Sequence, residues 1–287
     1  MSIWFFVCDL HGQVQRYETL FKTIQAEQPA VVLLGGDLLP LGGKYLPIGG
    51  VEKRSFISGF MQEGFSRVHD EMGDTYPEVF LILGNDDPRC EEINLAPGEA
   101  QGLWTYVHKQ WVEVGDTHLC GYACVPPTPF MLKDWERYDV SRFVDPGCIA
   151  PEDGYHSTPV SLEEVRKATI QAELDNLAQG VDLSRGIFLF HSPPYRSKLD
   201  RAALDGRMIE HAPVDFHVGS IAIRRFIEKR QPLITLHGHV HESARISGAW
   251  RERIGRTYTF SAGHDGVELA LVRFDPDMPE KAKRELI

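Results

Sequence analysis

A chain of 287 residues with 43% hydrophobic and 25% charged residues is ordinary for a globular protein with a sizeable core, and it carries a net charge of −11. That charge disfavours a broad nucleic-acid-binding face, because phosphate backbones need clustered Lys and Arg. No stretch approaches the ~18 apolar residues of a membrane span. The opening run Ser2–Cys8 is too short, and lacks the basic start, for a signal-peptide core. The five cysteines, an odd number with no C-x-x-C pair, point to free thiols in a reducing cytoplasm.

Ser2–Cys8 reads as a first strand that ends at Asp9-Leu10-His11-Gly12. A helix follows from about Val14 to Glu27, with Leu20 and Ile24 on one face, and Pro29 stops it. The second strand, Ala30–Leu34, is apolar enough for burial on both faces and ends at Gly35-Gly36-Asp37. An isolated Asp in such a place is ordinarily a helix cap. Residues 40–51, rich in Gly and Pro, form a loop. Residues 52–72 have helical periodicity at Phe56, Phe60, Phe65 and Val68, a face that is either core or a contact between copies in a homo-oligomer. The third strand, Val79–Leu83, ends at Gly84-Asn85-Asp86-Asp87-Pro88. Three such endings are hard to explain as three caps.

From Trp104 to Tyr122 two short strands flank a Gly115-Asp116 turn. Residues 126–159 hold six prolines among scattered acids and aromatics, and read as a long surface excursion, a lid or a contact between copies. Ser161 opens a helix that runs to about Ala178. The strand Gly186–Phe190 ends at His191-Ser192-Pro193-Pro194. A helix at about 221–229 precedes the apolar run Pro232–Leu236, which ends at His237-Gly238-His239-Val240-His241. Gly238 lets the backbone turn so that His239 and His241 face one cavity, with His237 turned away as a structural residue. Late strands follow at 258–260 and 267–274, and the charged tail from Pro276 reads as frayed. No linker interrupts the chain, so residues 1–287 are expected to form one domain. Cys8 and Cys90 lack an adjacent base and read as buried thiols.

The strand endings collect Asp9, His11, Asp37, Asn85, His191, His239 and His241. In open α/β sheets ligands bind at this edge. One metal rarely takes seven ligands of which four are His, whereas two metals sharing a carboxylate use them all. Imidazole with carboxylate suits divalent transition metals such as Mn, Fe, Ni or Zn, and argues against Mg or Ca alone.

Taken in order, Asp9-x-His11, Gly36-Asp37, Gly84-Asn85, His191 and Gly238-His239-x-His241 resemble the calcineurin-like metallophosphoesterase superfamily. The match runs from residue 9 to residue 241. His191-Ser192-Pro193-Pro194, His217-Val218-Gly219-Ser220 and His239-x-His241-Glu242-Ser243 are similar to a prokaryotic branch with a compact catalytic domain. The resemblance implies an α/β fold, a four-layer αββα sandwich of two mixed β-sheets flanked by helices. It implies a first metal at Asp9, His11, Asp37 and His241, and a second at Asp37, Asn85, His191 and His239, with Asp37 bridging. A bridging hydroxide would then attack a phosphate ester, with Asp37 and Asn85 in the catalytic set and a small phosphodiester as the expected substrate. Asn85, His217 and Arg196 are the candidate substrate contacts.

The chain departs from the family at Asp86, where the pattern has a His that contacts phosphate and protonates the leaving group. An Asp there acts as an acid only if its pKa is raised by burial or like charge. Otherwise it points away, and Asp86 or Asp87 caps the next helix, which is the expectation. Two other readings compete with the diesterase: a phosphomonoesterase, and a scaffold of the same fold that binds partners and hydrolyses nothing.

Overall fold

The computed structural model describes residues 3–41, 55–209 and 211–287. Most of the expected 40–51 loop, and the start of the helical stretch at 52–54, lie outside the described residues. In chain order the elements are β1 (Trp4–Val7), α1 (Val14–Glu27), β2 (Val31–Gly35), α2 (Gln62–Met72), β3 (Glu78–Ile82), α3 (Ala96–Ala100), β4 (Thr105–Tyr106), β5 (Trp111–Val114) and β6 (Thr117–Tyr122). The second half holds α4 (Leu162–Lys167), α5 (Ile170–Leu177), β7 (Gly186–Phe190), β8 (Met208–Ile209), β9 (Ala212–Pro213), α6 (Ile221–Arg230), β10 (Ile234–His237), α7 (Ser243–Ser247), β11 (Arg251–Ile254), β12 (Thr257–Ser261), β13 (Ala270–Phe274) and β14 (Lys283–Leu286).

Two six-stranded sheets form, in the orders β14-β13-β1-β2-β3-β4 and β11-β12-β10-β7-β6-β5. Both are mixed. β1, β2, β3 and β4 run parallel, as do β6, β7, β10 and β12, while β13, β14, β5 and β11 complete the edges antiparallel. The central strands β1, β2, β7 and β10 are buried at every residue, which is why they read as continuous apolar runs rather than alternating ones. The sheets meet face to face, with Phe260 of β12 against Phe274 of β13 at 5.9 Å between ring centroids. Helices cover the outer faces. Phe21 of α1 packs on Phe65 of α2 at 5.0 Å, and Phe226 of α6 packs on Phe188 of β7 at 4.9 Å. Phe56 and Phe65 are buried in the core, and Phe60 is half-buried against it.

Three expectations are corrected. The helix from Ser161 breaks at Ala168, whose ψ of 130° is extended, and restarts under a second cap. Thr169 Oγ1 accepts from the Ala172 N–H at 3.2 Å, and the Ile170 N–H is taken by the Tyr138 carbonyl of the excursion at 2.8 Å. A side chain that can cap locally and a competing backbone acceptor together interrupt the helix. The charged tail is not frayed: β14 pairs with β13, and Arg284 reaches inward to the Gly263 carbonyl at 2.7 Å. Cys8 is buried as expected, but Cys90 is exposed. The 126–159 excursion has no helix or named strand, yet it is anchored. Lys133, Asp134, Trp135 and Glu136 are buried in it, with the Lys133 ammonium paired to the Glu136 carboxylate.

Candidate metal centre

The parallel register of β1 and β2 brings their C-terminal ends side by side, and the loops beyond them continue the pairing. The N–H groups of Asp9, His11 and Gly12 donate to the carbonyls of Gly36, Asp37 and Leu38 at 2.8–2.9 Å. At this edge four non-glycine residues take left-handed backbone: Asp9 (φ 56°), His11 (45°), Asp37 (52°) and His239 (69°). Such conformations are strained for side-chain-bearing residues and persist where surrounding contacts over-determine them. The turn in the last loop is therefore made by His239, not by Gly238 as the sequence suggested. Gly238 is required for a different reason. A Cβ there would sit 2.7 Å from Cys8 Sγ and 2.9 Å from Asp9 Oδ2.

All seven expected donors converge. Asp9, His11, Asp37 and His241 place their ligand atoms within 4.8 Å of one another, and so do Asp37, His191 and His239, with Asp37 common to both groups. Asn85 joins the second group through Oδ1, 3.0 Å from His191 Nε2. Asp9, His11, Asp37 and Asn85 come from the first sheet, and the three histidines from the second. His191 Nδ1 faces the Gly35 carbonyl at 2.9 Å and so must donate to it, which leaves Nε2 directed at Asp37 Oδ2, 3.2 Å away. Fixing one imidazole nitrogen on a carbonyl to orient the other is how ligating histidines are held.

The charge balance is tight. Burial raises the Asp37 carboxyl, but the charge and hydrogen bond of His191, with His11, outweigh it and hold the group at about 2. Burial likewise opposes ionisation of Asp9, and His241 and its neighbours overcome it and hold the group well below the usual range. In return, against burial, Asp37 and Asp9 raise His191 to about 10 and Asp9 raises His241 to about 9. Burial and the charge of His191 press His239 down to about 3. His11 Nε2 and His241 Nε2 face each other at 3.1 Å. Two imidazole nitrogens aimed at one point, ringed by carboxylates that stay ionised, are what a bound cation requires. The mixed nitrogen and oxygen donor set fits divalent transition metals.

Asp86 does not point away. Its N–H donates to Asp37 Oδ1 at 2.8 Å, its Oδ1 accepts from Asn85 Nδ2 at 3.0 Å, and its Oδ2 lies 3.8 Å from His11 Nδ1. Burial, then the charge of Asp37, push its carboxyl up. Neither it nor Asp87 caps the next helical turn, whose N-cap is Pro88 without a side-chain bond. His237 is the structural residue expected, donating from Nδ1 to the Ser192 carbonyl at 2.9 Å. Arg196 is exposed, with its guanidinium over the Tyr195 ring at 5.3 Å. His217 Nδ1 pairs with Asp200 Oδ1 at 2.8 Å. Among the described residues neither Arg196 nor His217 contacts a donor.

Three residues that the sequence reading assigned no such place organise this region. Asp200, fully buried, accepts from the N–H groups of Arg196, Ser197 and Gly219 as well as from His217. Arg16, also buried, donates to the Asp9 carbonyl at 2.6 Å and the Gly266 carbonyl at 2.5 Å. Asp87 accepts three backbone N–H bonds between the loops that carry Asp37 and Asn85. No local pattern in the sequence marks Asp200 or Arg16 for this place, and Asp87 reads there only as a helix cap.

A model of the calcineurin-like phosphoesterase family matches residues 5–243. The chain belongs to that family of metal-dependent phosphoesterases. No curated protein matches it by sequence. A solved structure from Thermus thermophilus is similar at TM-score 0.55 and 15% identity, over 99% of this chain and 98% of that one. A phosphopantetheinyl hydrolase from Mycobacterium tuberculosis is similar at TM-score 0.52 and 10% identity, over 92% and 90%. A dimetal phosphatase from Danio rerio is similar at TM-score 0.50 and 11% identity, over 95% and 91%. At these identities the likeness is one of fold. Among the described residues no helix is long and apolar enough to cross a membrane.

Proposed function

We propose that the protein is a dinuclear metal-dependent hydrolase of small phosphodiesters. The observation that carries the reading is the pair of donor groups that share Asp37. Asp9, His11, Asp37 and His241 would hold one divalent transition-metal ion, and Asp37, Asn85, His191 and His239 the other. Two such ions supply Lewis acidity toward phosphate oxygens and lower the pKa of bound water to neutral pH.

The chain's own residues do the rest. Asp37, ionised and central, fixes the spacing of the two donor groups. The hydrogen bond from Asn85 Nδ2 to Asp86 turns Asn85 Oδ1 toward His191 and supplies a neutral donor to a crowded acidic site. Asp86 stands beside His11 with its side chain 27% exposed, where a leaving group would depart. An acidic side chain at that mouth repels a monoester dianion more than a diester monoanion, which favours diesters. The five unpaired cysteines support a cytoplasmic location.

The test is hydrolysis of bis-p-nitrophenyl phosphate beside p-nitrophenyl phosphate, using protein stripped with chelator and then given Mn²⁺, with Asp37→Ala in parallel. Diester cleavage restored by Mn²⁺ and absent in Asp37→Ala is expected. Preference for the monoester would overturn the diester reading. No turnover of either ester by folded, metal-loaded protein would replace the enzyme with a scaffold.

A further inference from the structure

We infer that Asp87 is a positioning residue that sets the relative placement of Asp37 and Asn85, and through them the affinity of the site for metal; the inference rests on the dinuclear reading above. Asp87 is fully buried. Its Oδ2 accepts from the N–H groups of Leu38 at 3.0 Å and Gly84 at 2.9 Å, and its Oδ1 accepts from Leu39 at 2.8 Å. Leu38 and Leu39 directly follow Asp37, whose backbone is left-handed. Gly84 directly precedes Asn85. One carboxylate therefore joins the chain just after one ligand to the chain just before another.

The link runs in both directions. While Asp87 binds the N–H groups beyond Asp37, the Asp86 N–H donates to the Asp37 carboxylate at 2.8 Å. The two adjacent residues staple the β2 and β3 loops reciprocally. The outer side is closed as well, because the Trp135 indole N–H of the 126–159 excursion donates to the Asp87 carbonyl at 2.7 Å. Beside it the Arg89 N–H is held by Asp134 at 2.7 Å. A carboxylate with three N–H donors, closed over by an indole, has no freedom to ligate metal itself.

Satisfying three buried N–H groups would by itself make Asp87 matter for folding. Positioning predicts something further, a change in metal affinity out of proportion to the change in stability. The full chain is prepared as Asp87→Asn and, because the amide places an N–H against a backbone N–H, also as Asp87→Ser. Ile227→Val in α6, remote from the site, is the control. Thermal midpoint and Mn²⁺ binding by calorimetry are measured on each, with kcat and KM for bis-p-nitrophenyl phosphate beside them.

The expected result is a loss of Mn²⁺ affinity of at least about tenfold in a folded Asp87 variant, the effect typical of removing a group that orients metal ligands. The control, compared at the same interval below its own midpoint, keeps wild-type affinity. A folded Asp87 variant that binds Mn²⁺ as tightly as wild type overturns the inference, and failure of both variants to fold assigns the residue to structure alone. Wild type that binds Mn²⁺ but hydrolyses nothing defeats the hydrolase reading and leaves the affinity comparison to decide this one. Wild type that takes up no Mn²⁺ overturns both.

Discussion

Asp86 and Arg16 each bear on the site, and each can be tested by one substitution. Asp86 occupies the position where the family pattern carries a proton-donating His, and it faces the donor cluster. Asp86→His should therefore raise turnover on diesters with poor leaving groups, where protonation of the departing oxygen limits the rate, and change p-nitrophenyl esters little. General acid help of this kind is worth roughly 10²–10⁴-fold where it operates. Steady-state rates across a series of phenol leaving groups check it, and unchanged or lower rates on the poorest leaving groups would remove Asp86 from any leaving-group role. Arg16 is 4% exposed and holds the carbonyls of Asp9 and Gly266. It carries a buried charge to do so, with the Nε left unpartnered. Arg16→Met removes the donors and leaves those carbonyls without them. A loss of about 2–3 kcal/mol follows from the scale of charged and unsatisfied buried hydrogen bonds, measured by urea unfolding. Because Asp9 is one of the four residues with strained backbone at the site, the hydrolysis proposed above should fall with it.

The elements divide into those whose reason is local and those whose reason is remote. β14 is of the second kind. Its sequence, Lys283-Arg284-Glu285-Leu286, looks like a solvated tail, but it pairs with Ala270–Arg273 and covers the apolar edge of β13. Deleting Lys283–Ile287 uncovers that edge and removes the bond from Arg284 to Gly263. The lost charged hydrogen bond alone is worth about 1.5 kcal/mol, or roughly 3–6 °C of thermal midpoint. A bare apolar edge strand also templates association, so the truncated chain should elute partly as larger species in size-exclusion chromatography. The same division explains what the sequence could show. A buried strand followed by Asp-x-His, Gly-Asp, Gly-Asn or His-x-His is a local pattern, so the side chains that converge at this edge and both sheets' central strands are legible in the sequence. The bond from Asp87 to Leu38, that from Arg16 to Gly266, and the capture of the Ile170 N–H by Tyr138 join residues 49, 250 and 32 positions apart, counted from their numbers. Nothing in the chain near those residues announces them. The break at Ala168 is of that kind, and so is the anchoring of the excursion through Trp135.

At the scale of the molecule, the donors lie on the seam between the two sheets. Asp9, His11, Asp37 and Asn85 follow strands of one sheet, while His191, His239 and His241 follow strands of the other. Each donor group draws from both, since His241 completes the first and His191 with His239 completes the second. A metal ion in either group would therefore cross-link the two halves of the sandwich at this edge. Ligand that binds only the folded state stabilises it by about 2.7 kcal/mol at a hundredfold excess over its dissociation constant. At roughly 2–4 °C per kcal/mol for a chain approaching this size, that is about 5–11 °C in thermal midpoint. Chelator-stripped protein should melt lower than the same protein with saturating Mn²⁺ by that order, and Asp37→Ala, which removes the shared donor, should lose most of the increment. The comparison reads binding of the ion to the folded state independently of any substrate. Equal midpoints with chelator and with Mn²⁺, in protein that calorimetry shows to bind the ion, would mean that the unfolded chain binds it as tightly as the folded one, and so that the ion is not held by a site assembled from both sheets.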